Sequence, residues 1–90
     1  MAKIVPLTDE DLPEDIDVVR RLPRSDTEEW LIGIVDFKGQ AYATARVYYR
    51  DKEKKLKPSR HGINVHEELL PELLLGLAAA DELLTDRAGG

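Results

Sequence analysis

Gln40-Ala41-Tyr42-Ala43-Thr44-Ala45-Arg46-Val47-Tyr48-Tyr49-Arg50 reads as a β-strand whose two faces differ in kind. Successive side chains of a strand point to opposite faces. The odd positions Ala41, Ala43, Ala45, Val47 and Tyr49 make one face small and apolar, suited to lying under a helix. The even positions Gln40, Tyr42, Thr44, Arg46, Tyr48 and Arg50 alternate aromatic rings with guanidinium groups and amides. Single-stranded nucleic acid asks for that pairing, rings to stack on bases and cations to meet phosphates. The plainer alternative is a solvated face with Tyr–Arg cross-strand contacts.

Working outward, Glu29 to Phe37 (E-W-L-I-G-I-V-D-F) is an apolar, β-branched strand, joined to this one by a turn at Lys38-Gly39-Gln40. Ile16 to Leu22 is an earlier strand, followed by a turn over Pro23 to Thr27. Downstream, Asp51 to Lys55 is a charged hairpin connection. Lys57 to His61 contains Pro58 and is expected to be irregular or an edge, and Gly62 to Val65 is extended again. A helix is expected over about Glu67 to Leu84, so the order is four strands, then one helix. That helix carries apolar residues around most of its circumference from Leu69 to Ala80. A surface helix needs an apolar stripe only a little over 100° wide. One side is expected on the sheet and the rest against a second copy, with Leu70, Leu73, Leu74, Leu77 and Leu84 as the homodimer interface. Pro71 fits the first helical turn.

The chain has 90 residues, one small domain with a small core, for which help from a partner chain is natural. It has no cysteine, which removes disulfides, thiolate metal sites and thiol nucleophiles. His61 and His66 share no helix face, no glycine-rich phosphate loop is present, and the acids of residues 1–15 do not fit a calcium-loop spacing. No enzyme, cofactor, metal or small-molecule substrate is expected. No apolar run has the ~18 residues of a membrane span, nor is there a signal-peptide core, so an intracellular protein is expected. It would sit in the cytoplasm or nucleoid of a bacterium, or in a eukaryotic nucleus. Net charge is −5, but it is unevenly spread: −5 over residues 1–30, +5 over 31–62 and −5 over 63–90. A local basic block matters more to a polyanion than the whole-chain balance. Residues 1–15, with Asp9, Glu10, Asp11, Glu14 and Asp15, read as a flexible acidic arm, residues 16–85 as the domain, and 86–90 as a tail. The charge split makes the arm a candidate to fold back on the basic block.

The run Asp36-Phe37-Lys38-Gly39, then Arg46, Tyr48 and Tyr49, then Lys57-Pro58-Ser59-Arg60-His61-Gly62-Ile63 resembles the C-terminal domain of the transcriptional coactivator positive cofactor four and its bacterial single-stranded DNA-binding relatives. The resemblance is gap-free over residues 35–65 and looser over about 16–85. It implies an α+β fold, a four-stranded curved antiparallel sheet followed by one C-terminal helix, paired as a homodimer that binds single-stranded DNA on its sheet surfaces. By that analogy Phe37 and Tyr49 stack on bases, with Tyr48 beside them. Lys38, Arg46, Lys57 and Arg60 meet the backbone, and Gln40 and His61 stand where the family has lysine. Ser59 stands where it has glycine. Strict alternation puts Tyr49 opposite Arg46, so a bulge or end-twist near residues 47–49 is needed to bring both to one surface. The implied function is sequence-tolerant single-stranded DNA binding in transcription or its regulation, with the transcription machinery as a further partner. The alternatives are a dimeric protein-interaction module of the same fold that has lost DNA binding, or a binder of single-stranded RNA.

Overall fold

In the computed structural model, residues 6–89 are described; residues 1–5 of the expected arm and residue 90 of the expected tail lie outside them. Four strands, β1 (Asp17–Pro23), β2 (Glu28–Phe37), β3 (Gln40–Arg50) and β4 (Leu56–His66), precede one helix, α1 (Leu70–Gly89). The strands form a single antiparallel sheet in the order β1-β2-β3-β4. Each neighbour in sequence is a neighbour in space, as short connections favour.

The connections follow from their residues. Lys38 and Gly39, at φ 52° and 79°, are the two central residues of a tight β2–β3 hairpin. Positive φ at both suits the right-handed twist of the flanking strands, and Gly39 adopts it without Cβ strain. The β3–β4 loop is closed by Asp51, whose carboxylate accepts the backbone N–H groups of Glu53 and Lys55, both at 2.9 Å. Those bonds, the Lys55 N–H foremost, hold the Asp51 carboxyl below its ordinary value.

β4 is one continuous strand where the sequence suggests an irregular piece and an extended piece. Pro58 is tolerated because β4 is the sheet edge, where a missing N–H breaks no ladder bond on the outer side. The irregularity is confined to the middle: Arg46 pairs with Gly62 and Tyr48 with Pro58, so Ser59, Arg60 and His61 stand opposite Val47 alone. Ser59 pins this bulge, donating its hydroxyl to the Val47 carbonyl (2.7 Å) and accepting the His61 N–H (3.1 Å).

The core lies on one face of the sheet. Val18, Leu31, Tyr48 and Leu56 are buried there beneath Ile16 and Leu12, which come from the segment leading into β1. That segment is tied down by the Leu7 N–H on the Val18 carbonyl (2.6 Å). The face that carries Arg46 and Tyr48 is therefore partly roofed by the N-terminal arm.

The helix corrects a second expectation. It does not pack on the sheet of its own chain: no residue of α1 is buried, and it makes almost no contact with the strands. Leu69, Leu74, Leu75, Leu77, Leu83 and Leu84 are all more than half exposed. Part of the apolar face of the sheet is likewise uncovered, with Ile34 and Ile63 about half exposed, while Val47 on the same face is buried. The helix begins at Leu70, later than the sequence suggests, because residues 67–69 form a turn in which the Leu69 N–H reaches the His66 carbonyl (2.9 Å).

Candidate nucleic-acid interface

Residues paired across antiparallel strands point to the same side of a sheet. The unbroken β2–β3 register from Glu28↔Tyr49 to Phe37↔Gln40 thus fixes which groups share a face. Leu31, Gly33, Val35 and Phe37 line up with Arg46, Thr44, Tyr42 and Gln40. β4 adds Gly62, Asn64 and His66 to the same rows. This is the face partly covered by the arm. Its uncovered part is a shallow groove of about 270 Å³ whose walls include Asp15, Phe37, Thr44, Arg46, Pro58 and Asn64.

Phe37 sits at the end of β2 with 61% of its surface exposed, large for an apolar side chain of a folded domain. The hairpin turn sets Lys38 beside it, its Nζ 5.3 Å from the ring centroid. Gln40 is exposed opposite Phe37 and accepts a hydrogen bond from the Tyr42 hydroxyl (3.2 Å). Tyr42 meets the His66 ring edge-on at 5.5 Å.

Arg46 is half-buried at the groove floor and held by β4. Its Nη1 donates to the Ser59 carbonyl (3.2 Å) and its Nη2 to Asn64 Oδ1 (3.4 Å). The same Oδ1 accepts the Thr44 hydroxyl at 2.7 Å. A fixed guanidinium loses less rotamer entropy on meeting an anion than a free one. Gly62, directly paired with Arg46, permits this close approach: a Cβ there would lie 2.7 Å from the Arg46 Cα and from the Ala45 carbonyl oxygen.

Tyr48 is buried, 4% exposed, in the core beneath the arm. Burial raises its phenol above the ordinary value; the Asp15 charge adds to the rise and Arg46 opposes it. Tyr49 and its pair partner Lys57 are exposed on the opposite face. The bulge expected near residues 47–49 exists, but its extra residues belong to β4. The alternation of β3 is unbroken, so Tyr49 is not brought to the face of Arg46. Arg60 and His61 are exposed within the bulge, at the sheet edge. The geometry therefore assembles Phe37, Lys38, Gln40 and Arg46, sets Arg60 and His61 on the rim, buries Tyr48, and separates Tyr49 and Lys57.

At this face the sequence reading places Thr44 and Arg50 by parity but gives them no role, and it does not single out Asn64 or Arg21. Thr44 and Asn64 orient Arg46; the parity of β4 would expose Asn64 only if the strand were known to be continuous. Arg21 of β1 and Arg50 of β3 share the Arg46 face and contact the arm: Arg21 with Asp9 and Asp11, and Arg50 with Asp11; Arg21 also pairs with Glu29 of β2. Among the described residues, no group of His, Asp and Glu could hold a metal ion, and no helix is long and apolar enough to cross a membrane.

This fold and motif order recur in known proteins. The family model described as Transcriptional Coactivator p15 (PC4) matches residues 26–75, more than half of the chain. The chain belongs to this family. Among solved structures, the PC4-family chain is similar to a PC4 homolog from Burkholderia pseudomallei K96243 in two crystal forms. The orthorhombic form shares 24% identity at a TM-score of 0.66, over 78% of this chain and 95% of that one. The tetragonal form shares 26% at 0.65, over 71% and 94%. A bacteriophage T5 homolog of the eukaryotic transcription coactivator PC4, implicated in recombination-dependent DNA replication, shares 19% identity at 0.58, over 76% and 77%. No curated protein matches the sequence.

Proposed function

We propose that this PC4-family chain binds single-stranded DNA with little sequence preference on the Phe37–Arg46 face of its sheet, as a coactivator-like or regulatory protein and without catalysis. The observation that carries this reading is the pairing of the exposed Phe37 ring with the braced Arg46 guanidinium on one face, beside Lys38. A base stacks on Phe37, and stacking tolerates any base. Flanking phosphates meet Lys38 and Arg46, with Arg60 and His61 continuing the polar rim at the β4 edge. A strand that also reaches Tyr49 and Lys57 must pass round that edge, because they face the other way.

Family membership and the bare helix support a homodimer. Leu74, Leu77 and Leu84, together with the half-buried Leu70 and Leu73, supply the apolar surface that a second copy covers. A helix standing off its own sheet with this much exposed leucine is not stable as a free surface in water.

Fluorescence anisotropy of a labelled oligo-dT with wild type, Phe37→Ala and Arg46→Ala tests the reading. Both variants are expected to weaken binding while circular dichroism stays unchanged. Binding that is absent, or indifferent to both changes, favours the protein-interaction module. Tighter binding to oligo-U than to oligo-dT favours the RNA reading, since a 2′-hydroxyl contact would then be at work.

A further inference from the structure

The Asp11 carboxylate is held by two guanidinium groups at once. Arg21 meets it with two nitrogens, Nη1 to Oδ1 at 3.2 Å and Nη2 to Oδ2 at 3.1 Å. Arg50 Nη2 meets Oδ2 at 2.7 Å, and Asp9 adds a contact to Arg21 Nη1 at 3.2 Å. Planar double-donor geometry around an oxyanion serves a phosphate as well as a carboxylate. These arginines belong to the same face as the groove: Arg21 pairs with Leu31, which pairs with Arg46, and Arg50 lies four residues along β3 from Arg46. Four residues of strand span about 13 Å, close to two phosphate steps of an extended single strand. At the other end of the arm, Asp15 lines the groove with Phe37 and Arg46.

The arm thus lays acids along the track that a single strand would follow. Leu12 and Ile16 pack on Leu31, Tyr48 and Leu56 beneath it, and the arm's Glu10 and Glu14 stand across a cleft from Lys54 and Lys55 of the β3–β4 loop and Lys57 at the start of β4. Arg21 and Arg50 against Glu29 alone leave a net positive cluster; with Asp9 and Asp11 docked the cluster is net negative.

We propose that Arg21 and Arg50 form a phosphate subsite that extends the Phe37–Arg46 face, and that residues 7–15 are an anionic strap which occupies it until a single strand displaces the strap. This rests on the single-stranded DNA reading above. The strap makes binding a competition: the DNA must first remove a carboxylate that is already paired. Its retention by charge makes the competition steepest at low salt, where exposed ion pairs are least screened.

The test uses the full chain, because Leu12 and Ile16 contribute to the core and a deletion would remove packing as well as charge. Wild type, Asp9→Asn/Asp11→Asn, and the same double variant carrying Arg50→Gln are titrated into labelled oligo-dT at low and high salt. Amide exchange of residues 7–15 is followed with and without DNA. The double variant is expected to bind roughly 5- to 10-fold more tightly at low salt, the gain shrinking as salt rises. Adding Arg50→Gln is expected to remove most of that gain, and DNA is expected to speed exchange at the Leu7 amide of wild type. Equal affinity of wild type and double variant, or a strap that stays protected in the DNA complex, overturns the strap and leaves the Phe37–Arg46 interface standing. A gain that survives Arg50→Gln overturns the subsite. If no variant binds oligo-dT at either salt, the DNA-binding reading fails and the strap proposal falls with it.

Discussion

Under the proposed single-stranded DNA reading, Phe37 stacks on a base and Arg46 meets a phosphate. Phe37 touches little of its own chain, so its replacement by alanine is expected to cost binding without cost to folding. The loss should be about 1–3 kcal/mol, roughly 5- to 150-fold in Kd, if one base stacks on it. Unchanged affinity in an anisotropy titration would place the stacked base elsewhere. Asn64 acts through Arg46, accepting from both it and Thr44. Asn64→Ala is expected to weaken DNA binding by about 0.5–1.5 kcal/mol, the net worth of a hydrogen bond, and to have no further effect in an Arg46→Ala background. Additive losses would show that Asn64 meets the DNA itself. Gln40 and Arg46 were placed on one face by β-strand alternation, which is local, whereas Phe37 and Lys38 entered through the family resemblance of Asp36-Phe37-Lys38-Gly39. The burial of Tyr48 was not legible in the sequence, because it depends on where Leu12 and Ile16 travel, more than thirty residues upstream in sequence. Arg21, and the part Arg50 plays with it, were hidden for the same reason: an arginine on a strand announces a site only when its neighbours in space are known.

At the scale of elements, β4 is the one that sequence reading divided and the structure joined. Pro58 signals a break only for a strand that needs its N–H on both sides, and an edge strand does not. The bulge opposite Val47 could be anticipated from the motif residues but not assigned to its strand, since parity in β3 says nothing of how many residues β4 spends in the same distance. Gly62 closes that bulge. Gly62→Ala would push a methyl group against the Arg46 backbone, and a cost of about 1–3 kcal/mol is expected from such overpacking. Urea unfolding reads it; a variant as stable as wild type would mean that β4 moves aside freely. The arm has its own signature. The Arg21 contact, then that of Arg50, holds the Asp11 carboxyl down at about 2. Its ordinary unfolded value is about 3.9. A group whose folded value is depressed stabilises the docked form above the unfolded value and loses that contribution as pH falls through the folded one. Docking of residues 7–15 is therefore expected to be intact at neutral pH and to weaken progressively below about pH 4. Amide exchange of the arm at pH 5 and pH 3 checks it, and equal protection at both would show that Leu12 and Ile16, not the ion pairs, hold the arm.

The whole molecule is more extended than its length requires. The radius of gyration is 14.9 Å, against roughly 12 Å expected for a compact chain of this size, because α1 projects from the sheet. The all-round leucine pattern of α1 pointed to a second copy, but it also suggested that one side would rest on the sheet of the same chain. A helix with this composition can satisfy both demands on a partner instead, and a single sequence does not say which chain provides the cover. If the homodimer is right, sedimentation equilibrium gives about twice 10.2 kDa, and Leu77→Asp shifts the mass toward one copy with loss of stability. A wild-type chain that sediments as a monomer at micromolar concentration would contradict it. The dimer also bears on binding, since it would set two Phe37–Arg46 faces on one particle and let one long strand engage both.

The most direct test of the central claim is the salt dependence of binding to a single strand. A labelled oligo-dT of about twenty nucleotides and a duplex of equal length are titrated with the full chain at low and moderate salt. Three or four cations on one face, each worth about 0.7 in log–log slope on single strands, predict a slope near −2 to −3 for oligo-dT and weaker binding to the duplex. No binding to oligo-dT at tens of micromolar protein, or duplex binding as tight as single-strand binding, would contradict it.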